Sequence, residues 1–243
     1  MELMKSIKKL IWFGILGLIL VLGYQNYETE LLEGPEAPEA ISLIEVGEQI
    51  EDQEKTSLNI DIPFYTQAPH SNWDYPWQEA CEEASVLLVA NAFNGLDLNL
   101  EEYNTELLRL VDWEMEVFGA YEHTTVEQTT QMISENYDLE TATHANPSFE
   151  DIQAILNRGN LIIAPLAGKL LGNPNFRNGG PVYHMLVIKG YDAEKMQIVT
   201  HDVGTRNGAD YVYSWETIQN ALHDWHDNDI LEGPSLLIEV VQP

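Results

Sequence analysis

The stretch "DYPWQEACEEASVLLVANAF", residues 74–93, holds the only cysteine of the chain, Cys81, just ahead of an apolar pattern at helical spacing. Cys81 is expected about a turn into a helix whose start is marked by Asp74 and Pro76, where a thiol is favoured as thiolate because unpaired N–H groups and the helix dipole stabilise the anion. Glu79, Glu82 and Glu83 oppose this, so a thiolate here requires a nearby cation, and histidine is the natural one. His184 opens the strand-like run "HMLVIKGYD", and the next run ends in "THDVG". A turn at 192–194 centres the hairpin near Ala193 and sets His184 directly opposite Asp202 on one face. In such a trio the imidazole takes the thiol proton, the thiolate attacks a carbonyl carbon, and the carboxylate orients the imidazolium. The resulting oxyanion needs donors: the Cys81 N–H, and a side-chain amide from the preceding loop, Gln67 or Gln78. Each residue also has a plain structural reading, as a buried cysteine, a core histidine and a turn aspartate.

These residues need a helix and a hairpin to hold them. Ile60, Ile62 and Phe64 alternate as one strand face, and a polar loop follows. Val86, Val89, Ala90 and Phe93 fall at helical spacing behind Cys81 until "NGLD" stops the helix. Further helical patterns lie at 99–111, 125–137 and 148–158, the last capped by Ser148 with Asp151 three residues on. Strands then dominate, at 161–167, 182–192, 196–202, 210–215 and 235–242, with one helix near 215–225. Helices first and an antiparallel sheet second make the fold class α+β.

The 243 residues suffice for one domain with a full core. Eleven basic residues against 40 acidic give −29; outside residues 1–24, which hold three lysines and one glutamate, 8 stand against 39, or −31. Such a polyanion repels phosphate backbones, which excludes nucleic acid as a partner, and anionic membrane surfaces repel it equally. The N-terminus differs: Lys5, Lys8 and Lys9 precede an uninterrupted apolar run from Leu10 to Tyr24. Residues 1–24 are expected to form an uncleaved membrane anchor with its basic end in the cytoplasm, or alternatively a signal segment removed on secretion. Residues 25–57 read as an acidic linker with a short helix around 41–50, and 58–243 as the folded domain. An unpaired cysteine outside the cytoplasm is either inert and buried or reactive.

"DIPFYTQAPHSNWDYPWQEACEEAS", "NPNFRNGGPVYHMLVIKGYD" and "THDVGTRNGADYVYSWETIQNALHDW", three blocks in order, closely resemble the C39-like peptidases, bacterial members of the papain-like cysteine peptidase fold. The resemblance implies an α+β papain-like fold with the nucleophile helix packed on the C-terminal sheet. It implies catalytic Cys81, His184 and Asp202, with Gln67 as oxyanion donor and Gln78 as runner-up. It also implies peptide or amide hydrolysis through a thioester, a peptide or protein substrate, and no cofactor. Where the family has Asn-Asp-Pro-Gly-Thr, this chain has "HDVGT", with His201 for Asn and Val203 for Pro. The rival reading is an inactive module that keeps the fold and binds peptides or cell-wall material.

Trp73, Tyr75 and Trp77 either line a groove beside Cys81 or pack under their loop. The loop 172–181, with Asn173, is a candidate substrate wall. "HDWHDND" at 223–229 reads as a polar loop rather than a metal site. The acids around Cys81 either make the cleft negative and select cationic peptides, or only keep the surface solvated.

Overall fold

Three helices start where the sequence writes a reciprocal cap, in which a polar side chain takes an orphan N–H and an acid or amide three residues on returns the bond. Asn99 with Glu102, Thr125 with Gln128 and Ser148 with Asp151 do this in a computed structural model that describes residues 35–48, 55–227 and 229–243. In chain order the unit Ala37–Pro243 contains α1 (Leu43–Glu48), β1 (Ser57–Asn59), α2 (Cys81–Asn94), α3 (Leu100–Val117), α4 (Val126–Tyr137), β2 (Thr141–Ala145) and α5 (Phe149–Asn157). There follow β3 (Leu161–Ala167), β4 (Tyr183–Asp192), β5 (Gln197–His201), β6 (Tyr211–Ser214), α6 (Trp215–Ala221) and β7 (Leu236–Val240).

The strands form one antiparallel sheet in the order β2-β7-β3-β4-β5-β6, and β1 pairs with the end of β4 that β3 leaves free. β3 and β4 are buried at every residue, which suits the unbroken apolar run of β3, whereas β4 also buries His184, Lys189 and Asp192. Helix α2 is buried from Cys81 to Asn91, with α3 and α4 against it and β4 beside it. A helix apolar on all sides is enclosed, and "ASVLLVANAF" has no polar stripe to present to water.

Several expectations shift. Helix α2 begins at Cys81 itself after a 3₁₀ turn at Trp77–Glu79, a turn later than the expected start. β2, with its largely exposed "TATHA", escapes periodicity because it is ordered mainly by pairing with β7, with α4 also against it. The folded unit also reaches back beyond the expected start at residue 58. Val46 is fully buried, Ile41 N–H donates to Asn59 O at 2.8 Å, and Asp61 N–H donates to Ile41 O at 2.7 Å. Among the described residues no helix is long and apolar enough to cross a membrane, and the apolar segment within 1–24 lies outside them.

Candidate active site

The hairpin β4–β5 decides which face each polar residue meets. At its turn end Gly190 opposes Val199, but beyond Lys189 the register changes, and Val187 opposes His201 and Ile188 opposes Thr200. Lys189 is thus a bulge, one extra residue in β4. Without it Asp202 falls opposite Val187, and His184, three residues from Val187, points to the other face. With it Asp202 falls beside Leu186, on the face that His184 shares. The expected direct pairing of His184 with Asp202 is therefore replaced by a diagonal one, two residues apart, which an imidazole spans.

His184 Nε2 and Asp202 Oδ1 lie 2.8 Å apart, with side chains 1% and 0% exposed. Asp202 accepts further bonds from Gly204 N–H at 3.1 Å, Asn173 Nδ2 at 3.0 Å and the Tyr213 hydroxyl at 2.6 Å. Burial pushes the Asp202 carboxyl up, but His184, Tyr213 and the Gly204 N–H outweigh it and hold the group below its ordinary value. Asp202 is a fixed anion, and it commits Nε2 of His184, leaving Nδ1 as the nitrogen for proton exchange. A methyl on Gly204 comes within 2.8 Å of His184 Cε1, so the backbone packs flat on the ring. Phe176 closes another side edge-on, with ring centroids 5.4 Å apart.

His201 and Val203 keep this turn in place without Asn and Pro. His201 Nε2 donates to Ile62 O at 3.1 Å, and its Nδ1 accepts the Asp210 N–H at 3.2 Å. Burial, then Lys189, push His201 down to about 4, so it is a neutral fastener. Val203 is fully buried, and its carbonyl accepts the Gln67 N–H at 3.0 Å.

Cys81 shares a cleft of about 210 Å³ with His184, lined also by Gln67, Trp73, Gln78 and Glu79. As the first helical residue its N–H has no partner within the helix and meets no other acceptor among the described residues. Cys81 is 6% exposed, and its Sγ accepts the Met185 N–H at 3.4 Å and donates to Glu82 Oε2 at 2.9 Å. Burial, Glu82 and Glu83 push the thiol well up, against the Met185 bond, so the resting sulfur is protonated. Glu82 is itself buried, accepts the Thr124 N–H at 3.1 Å, and is pushed up to about 8 by burial and Glu114. Glu83 and Glu114 complete a buried group of three carboxyls behind the cysteine. Thr124 donates to Glu114 at 2.7 Å, and the Glu83 carboxyl lies against that of Glu114, so the pair is placed to share a proton.

Gln67 is buried, and its Nε2 donates to the carbonyls of Trp77 at 2.9 Å and Gln78 at 3.0 Å, leaving Oε1 without a partner. Gln78 is exposed on the cleft, and its amide bonds nothing among the described residues. Of the other sequence candidates Trp73 lines the cleft, but Trp77 turns away to donate to Asn104 at 2.9 Å. Asn173 is not on the substrate wall: it is buried under Asp202, and the loop meets the cleft through Asn175, Phe176, Arg177 and Pro181. His223 bonds the Gly233 carbonyl, and His226 faces Glu232 at 3.7 Å. Glu82 and Glu83 are buried in the core, so among the described residues the cleft's only acidic liner is Glu79, and its basic liners are Arg177 and Arg206. Of the two alternatives for the acids around Cys81, the cleft made negative by Asp74, Glu79, Glu82 and Glu83 is the one this lining does not support. Sequence reading missed Tyr213, whose place in the alternating "DYVYSW" was the available signal, and the two arginines, which only the loop packing brings to the cleft.

An α+β chain whose cysteine-bearing helix packs on an antiparallel sheet carrying a histidine and an aspartate has the papain-like fold. The chain belongs to the Peptidase_C39 like family, whose model matches residues 59–228. Among solved structures it is similar to a protein from Bacillus anthracis described as a C39-like peptidase, at 14% identity and a TM-score of 0.51, over 75% of this chain and 96% of that one. Xylellain, a cysteine protease from Xylella fastidiosa, superposes at a TM-score of 0.39 and 11% identity over 88% and 92% of the two chains, too distantly to bear on the reading. No curated protein matches.

Proposed function

We propose that this chain is a cysteine peptidase or amidase. The observation that carries the reading is the cleft shared by Cys81 and His184, with the imidazole held from behind by a buried, ionised Asp202. His184 Nδ1 takes the thiol proton, and Sγ adds to the substrate carbonyl. The oxyanion is met by the Cys81 N–H and the Gln67 amide, which exchanges one carbonyl bond for it. The imidazolium then protonates the departing amine, leaving a thioester. Water, deprotonated by His184, releases the acid and restores the thiol.

A second reading is supported by the Cys81 bond to Glu82: a sulfur that rests on a carboxyl inside the core suits an inactive module that binds peptides or cell-wall material. Digestion of a peptide library by the wild-type chain and by Cys81→Ala, with products read by mass spectrometry, separates the two. Cleavage by the wild type alone is expected; equal cleavage by both, or by neither, overturns the peptidase reading.

The proposed location is the outer side of a cell membrane, with residues 1–24 as an uncleaved anchor. Mass spectrometry of the native N-terminus tests it, and a mature chain beginning near Tyr24 points to secretion instead.

A further inference from the structure

Outside residues 1–24 the chain has eight basic residues amid 39 acids, so a cation with no carboxylate beside it stands out. Arg109 pairs with Glu106, Arg158 with Glu239, Lys189 with Asp210 and Lys195 with Asp192, while Lys55 and Lys169 have no carboxylate partner among the described residues but lie outside the cleft. Arg177 and Arg206 are exposed, line the cleft, and have no carboxylate partner among the described residues. They come from two separate loops. Asn207 Nδ2, one residue past Arg206, donates to Asn175 Oδ1 at 2.8 Å and ties those loops together. The lining thus carries two guanidiniums against Glu79 alone, on a body of −31.

Their side of the cleft is defined. Arg177 follows Phe176, whose ring meets His184, and Arg206 lies two residues past Gly204, whose backbone packs on the same imidazole. His184 delivers its proton to the departing amine, so the leaving part of the substrate lies on the His184 side. We infer that the substrate carries a carboxylate on its leaving-group side, as an acidic side chain or a free C-terminus, and that Arg177 and Arg206 hold it. The inference rests on the peptidase reading for the direction of the substrate. A guanidinium suits the role because its planar fork matches a carboxylate, and on an acidic surface two unpaired forks select anions from a largely repelling field. It is the reverse of the cationic preference that stood as one of two alternatives for the acids around Cys81.

The test has two arms. A peptide cleaved by the wild-type chain is made with Glu or Gln two residues past the cut, each with a free or amidated C-terminus. The form bearing the recognised carboxylate is expected to show kcat/KM about three- to tenfold above its neutral counterpart at 0.1 M salt. That ratio approaches one at 1 M salt, where the Debye length falls to about 3 Å, and in Arg177→Gln/Arg206→Gln. The Glu and free-terminus forms separate the two carboxylate sources. Equal rates for all forms, or a preference that survives in the double variant, overturns the inference. In the second arm a fluorescein-labelled Ala/Glu octapeptide and its Ala/Gln counterpart, with free and amidated termini, are bound to Cys81→Ala. Tighter, salt-sensitive binding of the anionic peptides without hydrolysis by the wild type sinks the peptidase reading and keeps the carboxylate site. Equal binding of charged and neutral peptides sinks the carboxylate site whatever the chain cleaves.

Discussion

The Cys81 thiol donates to Glu82 Oε2 at 2.9 Å, so the sulfur and its sequence neighbour compete for one proton inside the core. A carboxylate in contact with Sγ disfavours the thiolate, and Gln at this position keeps the size and the acceptor for Thr124 N–H while removing the charge. Glu82→Gln is therefore expected to speed alkylation of Cys81 by iodoacetamide at pH 9.5, above the value of about 8 at which Glu82 ionises, by about tenfold, the effect of one unit of thiol pKa. An unchanged or slower rate means that Glu82 does not control the sulfur.

The three buried carboxyls give stability a pH dependence of known sign. Burial is the main cause that pushes Glu82 up to about 8, Glu114 up to about 7 and Glu83 well above its ordinary value. The folded state then holds protons that the unfolded chain releases near pH 4.5, so this stability is lost as pH rises through the folded values. His201 acts in the opposite direction and only below pH 6.5, since it is neutral in the fold down to about 4. Between pH 6.5 and 8.5 the Tm is expected to fall by about 5 °C, and Glu83→Gln to reduce the fall and raise Tm at pH 8.5. A flat profile, or a variant less stable at pH 8.5, contradicts the buried carboxyl group.

Tyr213 and Gly204 act on the imidazole through what surrounds it. Tyr213→Phe removes a 2.6 Å bond to a buried anion and is expected to destabilise the chain by about 1.5–3 kcal/mol. With one donor gone the Asp202 carboxyl rises, and the acid limb of the activity profile moves to higher pH. Gly204→Ala drives a methyl against His184 Cε1, and kcat is expected to fall at least about tenfold while the far-ultraviolet spectrum is kept. Full activity in Gly204→Ala rules out the close packing.

The bulge is held from far away in the chain. Lys189 Nζ is buried, donates to Asn59 Oδ1 at 2.6 Å and pairs with Asp210. Lys189→Met leaves both partners without the ammonium and lets the ladder relax toward its unbulged register. The downfield proton resonance of the His184–Asp202 bond is expected to broaden or vanish, with a matching loss of activity. A sharp, unshifted resonance in the variant shows that the bulge stands without the lysine.

The second oxyanion donor separates by preorganisation. Gln67 is buried and held by two carbonyls, whereas Gln78 is exposed and unbonded and loses more freedom on donating. Gln67→Ala is expected to lower kcat about a hundredfold and Gln78→Ala by less than about threefold. The reverse order assigns the role to Gln78.

Local order was written in the residues themselves. Helical periodicity gave α3, α4 and α5, the last with its cap at Ser148, and the continuous apolar run at 161–167 gave β3, because these signals come from neighbours in the chain. The lone Cys81, with His184 and Asp202, could be chosen by chemistry and resemblance. The register that joins them could not. It depends on one extra residue at Lys189, fixed by Asn59, 130 positions away, and by Asp210 across the next loop. The same holds for β2, whose exposed residues carry no period and find order by pairing with β7. Charge was misleading for a related reason: Glu82 and Glu83 lie next to Cys81 in sequence, yet α2 turns them into the core, while two loops bring distant Arg177 and Arg206 to the cleft. Sequence proximity sets which groups share an element, and only the packing of elements sets which groups share a field.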